Sequence, residues 1–291
     1  TVNGVYRFGK PIRVNDDSSG NWHYAPSLAV DDEKNVCIAW LDARNENYDI
    51  YFSHGIKENG IWQFSQNIRV NDNPTNASQY TPSIAFENGS AYIAWYDDRN
   101  EDLDIFVSTG RSENNSWKFD KNIRINDDTG NTDQMHPSIA VRNGEIFAVW
   151  EDEREGASNI YFSKSIRRND SLEFIKNIRV NDLGGKHYDP QIKISQDNIY
   201  IVWQAENTRY FETPYLNMGT TGSDGGNIYF SSGKYNGTNW EFRRNVKVND
   251  DLTESFTKPN LVLLGLMLGS VIFSMVFVTF LRGKMRNEKR R

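Results

Sequence analysis

Pro82-Ser-Ile-Ala-Phe86, followed by Ile93-Ala-Trp95, Asp104-Ile-Phe106 and Ile123-Arg-Ile-Asn-Asp127, is one full unit of a pattern that this chain writes four times. Working outward, the same order recurs at Pro26-Ser-Leu-Ala-Val30 with Ile38-Ala-Trp40, and at Pro137-Ser-Ile-Ala-Val141 with Ala148-Val-Trp150. The last copy is Pro190-Gln-Ile-Lys-Ile194 with Ile201-Val-Trp203. Trp40, Trp95, Trp150 and Trp203 stand 55, 55 and 53 residues apart. Units close on Ile68-Arg-Val-Asn-Asp72, Ile178-Arg-Val-Asn-Asp182 and Val246-Lys-Val-Asn-Asp250, and a fifth closing phrase, Ile12-Arg-Val-Asn-Asp16, precedes the first unit.

A fixed period over this length marks one repeat array rather than two domains. Turn residues divide a unit into four strands, in the first unit 26–31, 35–42, 48–54 and 62–70. No segment before residue 261 has an amphipathic helical period, which excludes a helical solenoid. Four antiparallel strands per unit match a propeller blade. All-apolar second strands such as Val36-Cys-Ile-Ala-Trp40 suit sheets covered on both faces. The expected fold is an all-β propeller over residues 1–250 with four blades in this chain. An N-terminal strand, Val5 to Val14, is one more than four blades need and could seal the ring against the last blade, so closure stays open.

After a linker at 251–260, residues 261–281 (LVLLGLMLGSVIFSMVFVTFL) carry no charge over 21 positions, long enough for a helix to cross a ~30 Å hydrocarbon core. Residues 282–291 then hold six Lys or Arg and one Glu. This places the tail in the cytoplasm and the propeller outside, as a single-pass protein of the cell membrane. The tail contributes +5 to a formal charge of −6, which leaves −11 on the rest and argues against nucleic acid as a partner. The chain starts at Thr1, and a removed leader or lost upstream blades both account for that. Cys37 is the only cysteine, so no internal disulfide frames the domain. Sequons at Asn76, Asn88, Asn114, Asn169 and Asn236 are glycosylation candidates.

Ser53 to Trp62 (SHGIKENGIW), Ser108 to Trp117 (STGRSENNSW) and Ser231 to Trp240 (SSGKYNGTNW) are read as third-to-fourth strand loops. They resemble degenerate Asp boxes, in which the Asp of Ser-x-Asp-x-Gly-x-x-Trp is missing and the spacing is longer. On these residues the chain resembles the sialidase-like propeller superfamily over residues 5–250. The resemblance implies a propeller and, in an active member, three converging arginines, a Tyr-Glu nucleophile pair and an acidic proton donor.

Strand alternation sends the loops after strand two, the Asn-Asp turns and the lead-in to each Pro to one face, the acidic one. Arg44, Arg99 and Arg154 lie there beside carboxylates at repeat-equivalent positions, as do Trp40, Trp95, Trp150 and Trp203 in the core, and both sets are read as scaffold. The Asn-Asp turns are read as caps of backbone N–H groups, with calcium as the other reading. His23, His136 and His187, with Asp189, precede repeat prolines and form a candidate metal set. A preference of these loops for rings is the competing reading. Blade four departs from the period with an insertion, residues 207–226, whose Arg209, Tyr210, Phe211, Glu212 and Tyr215 are binding candidates.

The main functional expectation is a non-catalytic, membrane-anchored binding or scaffold module for an envelope protein or a glycan. One alternative is a sialidase-like glycoside hydrolase, with Glu206, Tyr210 or Glu212 converging on unpaired arginines. Another is an accessory subunit of a membrane complex, whose Gly265 and Gly269 permit close helix contact.

Overall fold

Each apolar run around a repeat Trp becomes the second strand of a four-stranded antiparallel sheet. The computed structural model describes residues 9–18, 20–31, 34–73, 76–114, 116–169, 171–209 and 222–249. The chain divides into two units, Thr1–Lys247 and Val248–Arg291. Blade one is β1 (His23–Val30), β2 (Val36–Asp42), β3 (Asp49–Glu58), β4 (Ile61–Phe64) and β5 (Ile68–Arg69). Blade two is β6 (Gln79–Glu87), β7 (Ser90–Asp97), β8 (Asp104–Glu113), β9 (Ser116–Phe119) and β10 (Ile123–Arg124). Blade three is β11 (Gln134–Arg142), β12 (Glu145–Asp152), β13 (Asn159–Arg168), β14 (Ser171–Phe174) and β15 (Ile178–Arg179). Blade four is β16 (Lys186–Ser195), β17 (Asn198–Arg209), β18 (Gly222–Tyr235), β19 (Trp240–Phe242) and β20 (Val246–Lys247). The first three strands pair in chain order, and both short last pieces pair with the third. First strands of successive blades lie side by side. The described residues form an all-β array of four blades, consistent with a β-propeller.

Two local expectations change. The fourth strand is broken in two, and most of the segment Ser53 to Trp62 is strand rather than loop, turning only at Asn59 and Gly60 (φ 48° and 82°). The break has a side-chain cause. Ser53 Oγ donates to Ser65 O at 2.8 Å between the two pieces, as Ser108 does to Asp120 O at 2.6 Å and Ser163 to Ile175 O at 2.7 Å. The serines of the degenerate boxes therefore hold the outer strand where its ladder is interrupted. Gly110 allows the same hairpin to close, because a Cβ there would lie 2.5 Å from Phe119 Cε1.

Among the described residues three cores form, each between neighbouring blades. Cys37, Ala39, Ile50 and Phe52 of blade one pack on Ile84, Ile93 and Trp95 of blade two, and the pattern repeats between blades two and three and between three and four. Trp95, Trp150 and Trp203 are fully buried, each removing an aromatic surface worth several kcal/mol from water. Burial within the first core raises the Cys37 thiol to about 12, with Asp31 adding to it, so Cys37 packs as an inert hydrophobe.

The N-terminal strand expected over Val5 to Val14 is not formed by the described part of that segment, residues 9–14. Blade four already carries its own outer pieces, β19 and β20. The Ile12–Asp16 phrase instead enters blade one as the other phrases enter their following blades. Asp16 N donates to Asn67 Oδ1 at 2.7 Å and Asn67 N returns to Asp16 Oδ2 at 3.0 Å. The same reciprocal pair joins Asp72 with Asn122 and Asp127 with Asn177. Among the described residues nothing covers the outer side of β1, where Leu28 is 58% exposed against 7% for its equivalent Ile84.

The blade-four insertion begins and ends as ladder rather than loop, with Asn207 opposite Asp224 and Arg209 opposite Gly222. Tyr210, Phe211, Glu212 and Tyr215 lie outside the described residues, as do residues 261–281 and the basic tail. No helix among the described residues is long and apolar enough to cross a membrane. All five sequon asparagines are exposed. Asn88, Asn114 and Asn169 sit at turn positions with φ 49°, 50° and 48°, where asparagine is favoured for its backbone alone.

Candidate functional site

The residue before a proline is sterically biased toward extended backbone. In all four first strands it does otherwise. The register slips between Tyr24 and Ser27, Tyr80 and Ser83, Met135 and Ser138, and Tyr188 and Gln191. At each bulge the pre-proline residue is left-handed: Ala25, Thr81, His136 and Asp189 have φ of 46°, 39°, 49° and 49°. None is glycine, and such positions cost about 1–3 kcal/mol each. The strained backbone repeats; the side chains on it do not. Opposite the bulges, one residue after each Trp, stand Leu41, Tyr96, Glu151 and Gln204, again four different chemistries.

Where blades three and four meet, these variable positions form one cluster. Glu151 is 2% exposed, and its Oε1 lies 2.7 Å from His136 Nδ1 and accepts the backbone N–H of Asp189 at 2.7 Å. Facing a carboxylate, Nδ1 is the ring nitrogen that donates. Asp189 Oδ2 accepts from Gln204 Nε2 at 3.3 Å. One polar side-chain atom from each of His136, Glu151 and Asp189 lies within 4.8 Å of the others, near enough to share a divalent ion or to work together as acid and base. Tyr96 stands edge-on to His136 at 5.5 Å and stacks on Tyr80 at 5.0 Å. Burial raises the Tyr96 phenol, with Thr81 hydrogen bonding opposing it and the charges of Glu151 and Asp189 adding to the rise. Tyr188 is pushed up to about 12 by burial and by Glu206, Glu151 and Glu153. Both therefore remain protonated donors at neutral pH.

The three histidines do not come together. His23 lies 3.6 Å from Asp17 and 3.3 Å from Asp42, a second cluster with metal-ligand chemistry. Asp42, however, already accepts Trp40 Nε1 at 2.9 Å and Arg44 at both oxygens. His187 accepts Trp203 Nε1 on its Nδ1 at 2.9 Å, because blade four has Ala205 where the other blades have Asp42, Asp97 and Asp152. Its Nε2–H then donates to Leu183 O at 3.1 Å.

Burial lowers the pKa of His187 below its ordinary 6.5, against the Leu183 hydrogen bond and with the Arg179 charge. The folded state binds fewer protons, so the contribution of His187 to stability is complete above 6.5 and is lost as pH falls through and below that value. Unfolding midpoints measured from pH 8 to pH 5 should show this loss, with a limiting slope of about 1.4 kcal/mol per pH unit. In His187→Gln, which installs the residue found at Gln79 and Gln134, that component should vanish. An unchanged profile in the variant would assign the pH dependence elsewhere.

Arg44, Arg99 and Arg154 are each held by two carboxylates: Asp42 and Asp16, Asp97 and Asp72, Asp152 and Asp127. Each also covers an aromatic ring, with Cζ 4.1 Å from Tyr51, 4.1 Å from Phe106 and 4.4 Å from Tyr161. The Asn-Asp turns bond protein groups: Asn71 Oδ1 accepts Ile50 N at 2.9 Å and Asn71 Nδ2 donates to Asp49, Asn73 and Gln79. Sequence reading missed Glu151 and Tyr96, grouping Glu151 with the loop that ends at Arg154. Their signal is a broken period, since the residue after the repeat Trp is different in every copy.

No protein-family model and no curated protein sequence matches this chain. Solved structures do. A mutant α-L-arabinofuranosidase of Fusarium graminearum, in complex with an iminosugar inhibitor, aligns with a TM-score of 0.53 at 12% identity, over 78% of this chain and 66% of that one. An α-L-arabinanase of Penicillium chrysogenum complexed with arabinobiose gives 0.48 at 12% identity, over 72% and 62%. A Trypanosoma rangeli sialidase gives 0.48 at 10% identity, over 76% and 38%. The chain spans less than two thirds of the length of each. The Fusarium alignment shows a shared blade architecture, and at this identity it shows nothing finer.

Proposed function

We propose that the repeat domain is a glycoside hydrolase acting on neutral sugars, held at the outer cell surface by a helix over residues 261–281 with the basic tail inside. The observation that carries it is the His136–Glu151–Asp189 cluster. A buried carboxylate meets an imidazole and a second carboxylate that are carried on strained backbone, at positions where the repeat varies. Two carboxyl groups about 5–5.5 Å apart suit retention of configuration, whereas inversion uses about 6.5–9.5 Å. The shorter class fits nearest ligand atoms within 4.8 Å. In this reading Glu151, oriented by His136 and the Asp189 N–H, faces the anomeric carbon. Asp189 protonates the leaving oxygen. The blade architecture shared with an arabinofuranosidase supports a sugar as substrate.

A neutral sugar is favoured over a sialic acid because carboxylate recognition calls for an arginine fork, and Arg44, Arg99 and Arg154 are already bound to carboxylates. The decisive measurement is release of 4-nitrophenol from arabinofuranoside, xyloside, mannoside and sialoside substrates by the full chain in detergent. Turnover of a neutral glycoside with net retention is expected. Turnover of the sialoside alone, or none at all, would overturn the proposal. Absence of turnover with retained sugar binding would return the domain to the non-catalytic module.

A further inference from the structure

Many aromatic residues of this chain pack in the cores between blades, and a run of five aromatic rings that ends on an imidazole lies along the acidic face, where Tyr96 also packs against a core. Trp22 stacks on Tyr24 with centroids 5.6 Å apart and planes within 7°. Tyr24 meets Tyr48 at 6.3 Å, Tyr48 meets Tyr80 at 6.2 Å, Tyr80 meets Tyr96 at 5.0 Å, and Tyr96 meets His136 at 5.5 Å. The rings cross from blade one through blade two to blade three and end on the imidazole that contacts Glu151. They come from several different repeat positions. The equivalents of Trp22 are Ser78, Asp133 and Lys186, so blade packing does not call for a ring there. Trp22 is nonetheless 67% exposed and Tyr24 43% exposed, an apolar surface that folding alone would leave polar.

We propose that this aromatic run is the binding track of a linear, neutral oligosaccharide whose end reaches Glu151 and Asp189. The inference rests on the hydrolase reading for its direction and on the rings for its ligand. Sugar rings present flat C–H faces with hydroxyls at the edge, and a tyrosine or tryptophan offers a flat apolar face with one polar atom at its rim. Hydrogen-bonding groups flank the track: Tyr80 Oη donates to Asp98 at 3.3 Å, and Asp98 also accepts Ser78 N at 2.7 Å. The charge favours a neutral chain over an anionic one, since the arginines of this face are held by aspartates. Several rings in series select for length, because each added sugar meets another ring.

Trp22→Ala tests this at the end of the track farthest from Glu151, where 67% exposure means that removal opens no core cavity. The probes are arabino-, xylo- and manno-oligosaccharides from disaccharide to hexasaccharide. For the full chain, KM should fall with chain length in one series. Trp22→Ala should raise KM for the hexasaccharide about tenfold, equivalent to about 1.4 kcal/mol, and leave kcat and the 4-nitrophenyl monoglycoside unchanged. If no glycoside is turned over, tryptophan fluorescence titration of the Glu151→Gln chain still reads the track, so failure of the hydrolase reading is separable from failure of this one. Equal affinity for disaccharide and hexasaccharide, or no effect of Trp22→Ala, overturns the track. Saturable binding of a proline-rich peptide without oligosaccharide binding reassigns it to a protein ligand and overturns it equally.

Discussion

Replacing Asp97 by alanine is expected to lower the unfolding free energy by about 3–5 kcal/mol, the range for removing one partner of a buried charge pair. Asp97 is completely buried at the end of β7 and receives four donors: Trp95 Nε1 at 3.0 Å, Arg99 N at 3.0 Å, Arg99 Nε at 2.9 Å and Arg99 Nη2 at 2.6 Å. The bidentate fork makes this a charge-assisted contact of the stronger kind. The loss comes less from the bonds themselves than from what remains. A guanidinium still pinned by Asp72 and the Phe106 ring would lack its main counter-ion, and the indole N–H of a fully buried tryptophan would have no acceptor. Asp97→Asn keeps an acceptor for Trp95 and should lose less, while Trp95→Phe removes the indole N–H and opens a small cavity. Denaturant unfolding reads the series as midpoint shifts at constant slope. A loss below about 1 kcal/mol for Asp97→Ala would show that Arg99 relaxes to solvent and that the node is not a structural lock.

Blade four is the natural control for that argument. Its Trp203 has no aspartate two residues on, and His187 from the neighbouring strand accepts the indole proton instead. The fold tolerates a different acceptor but supplies one every time, as expected for a buried donor. This separates what the sequence makes legible from what it hides. Core residues must recur wherever blades repeat, so Trp40, Trp95, Trp150 and Trp203 announce the architecture by spacing alone. The broken outer strand is hidden, because Ile61 to Val70 is apolar enough for one continuous strand, and only the Ser53 hydroxyl reveals why it is interrupted.

The candidate centre was half legible. His136 and Asp189 stand out before their prolines, and the same placement groups them with His187, which ordinary strand geometry would keep on one side with Asp189 because residues two apart share a side. The bulge breaks that rule. His187 lies before the register slip and turns inward to Trp203, whereas Asp189 lies within it, next to Glu151. Glu151 joins Asp189 from 38 residues away. No local pattern encodes such a meeting, because it depends on a left-handed pre-proline residue and on how blade four packs against blade three.

Glu151→Gln carries the largest functional effect: catalytic efficiency should fall by about 10²- to 10⁴-fold, the usual contribution of a positioned acid or base. The amide keeps the volume and one acceptor oxygen, so the Asp189 N–H bond at 2.7 Å survives in the variant and the stability should change little. The same oxygen, Oε1, faces His136 Nδ1 at 2.7 Å, so both contacts can persist while the negative charge beside the imidazole is lost. The pH–rate profile of any residual activity should therefore change shape as well as height. Asp189→Asn should match the loss on substrates with a poor leaving group and fall short of it on 4-nitrophenyl glycosides, which need little protonation to depart. That contrast assigns the roles. Equal losses for both variants on both substrate types would leave neither carboxylate identifiable as the proton donor. Full activity in Glu151→Gln would remove the cluster from the chemistry, whatever its place in the fold.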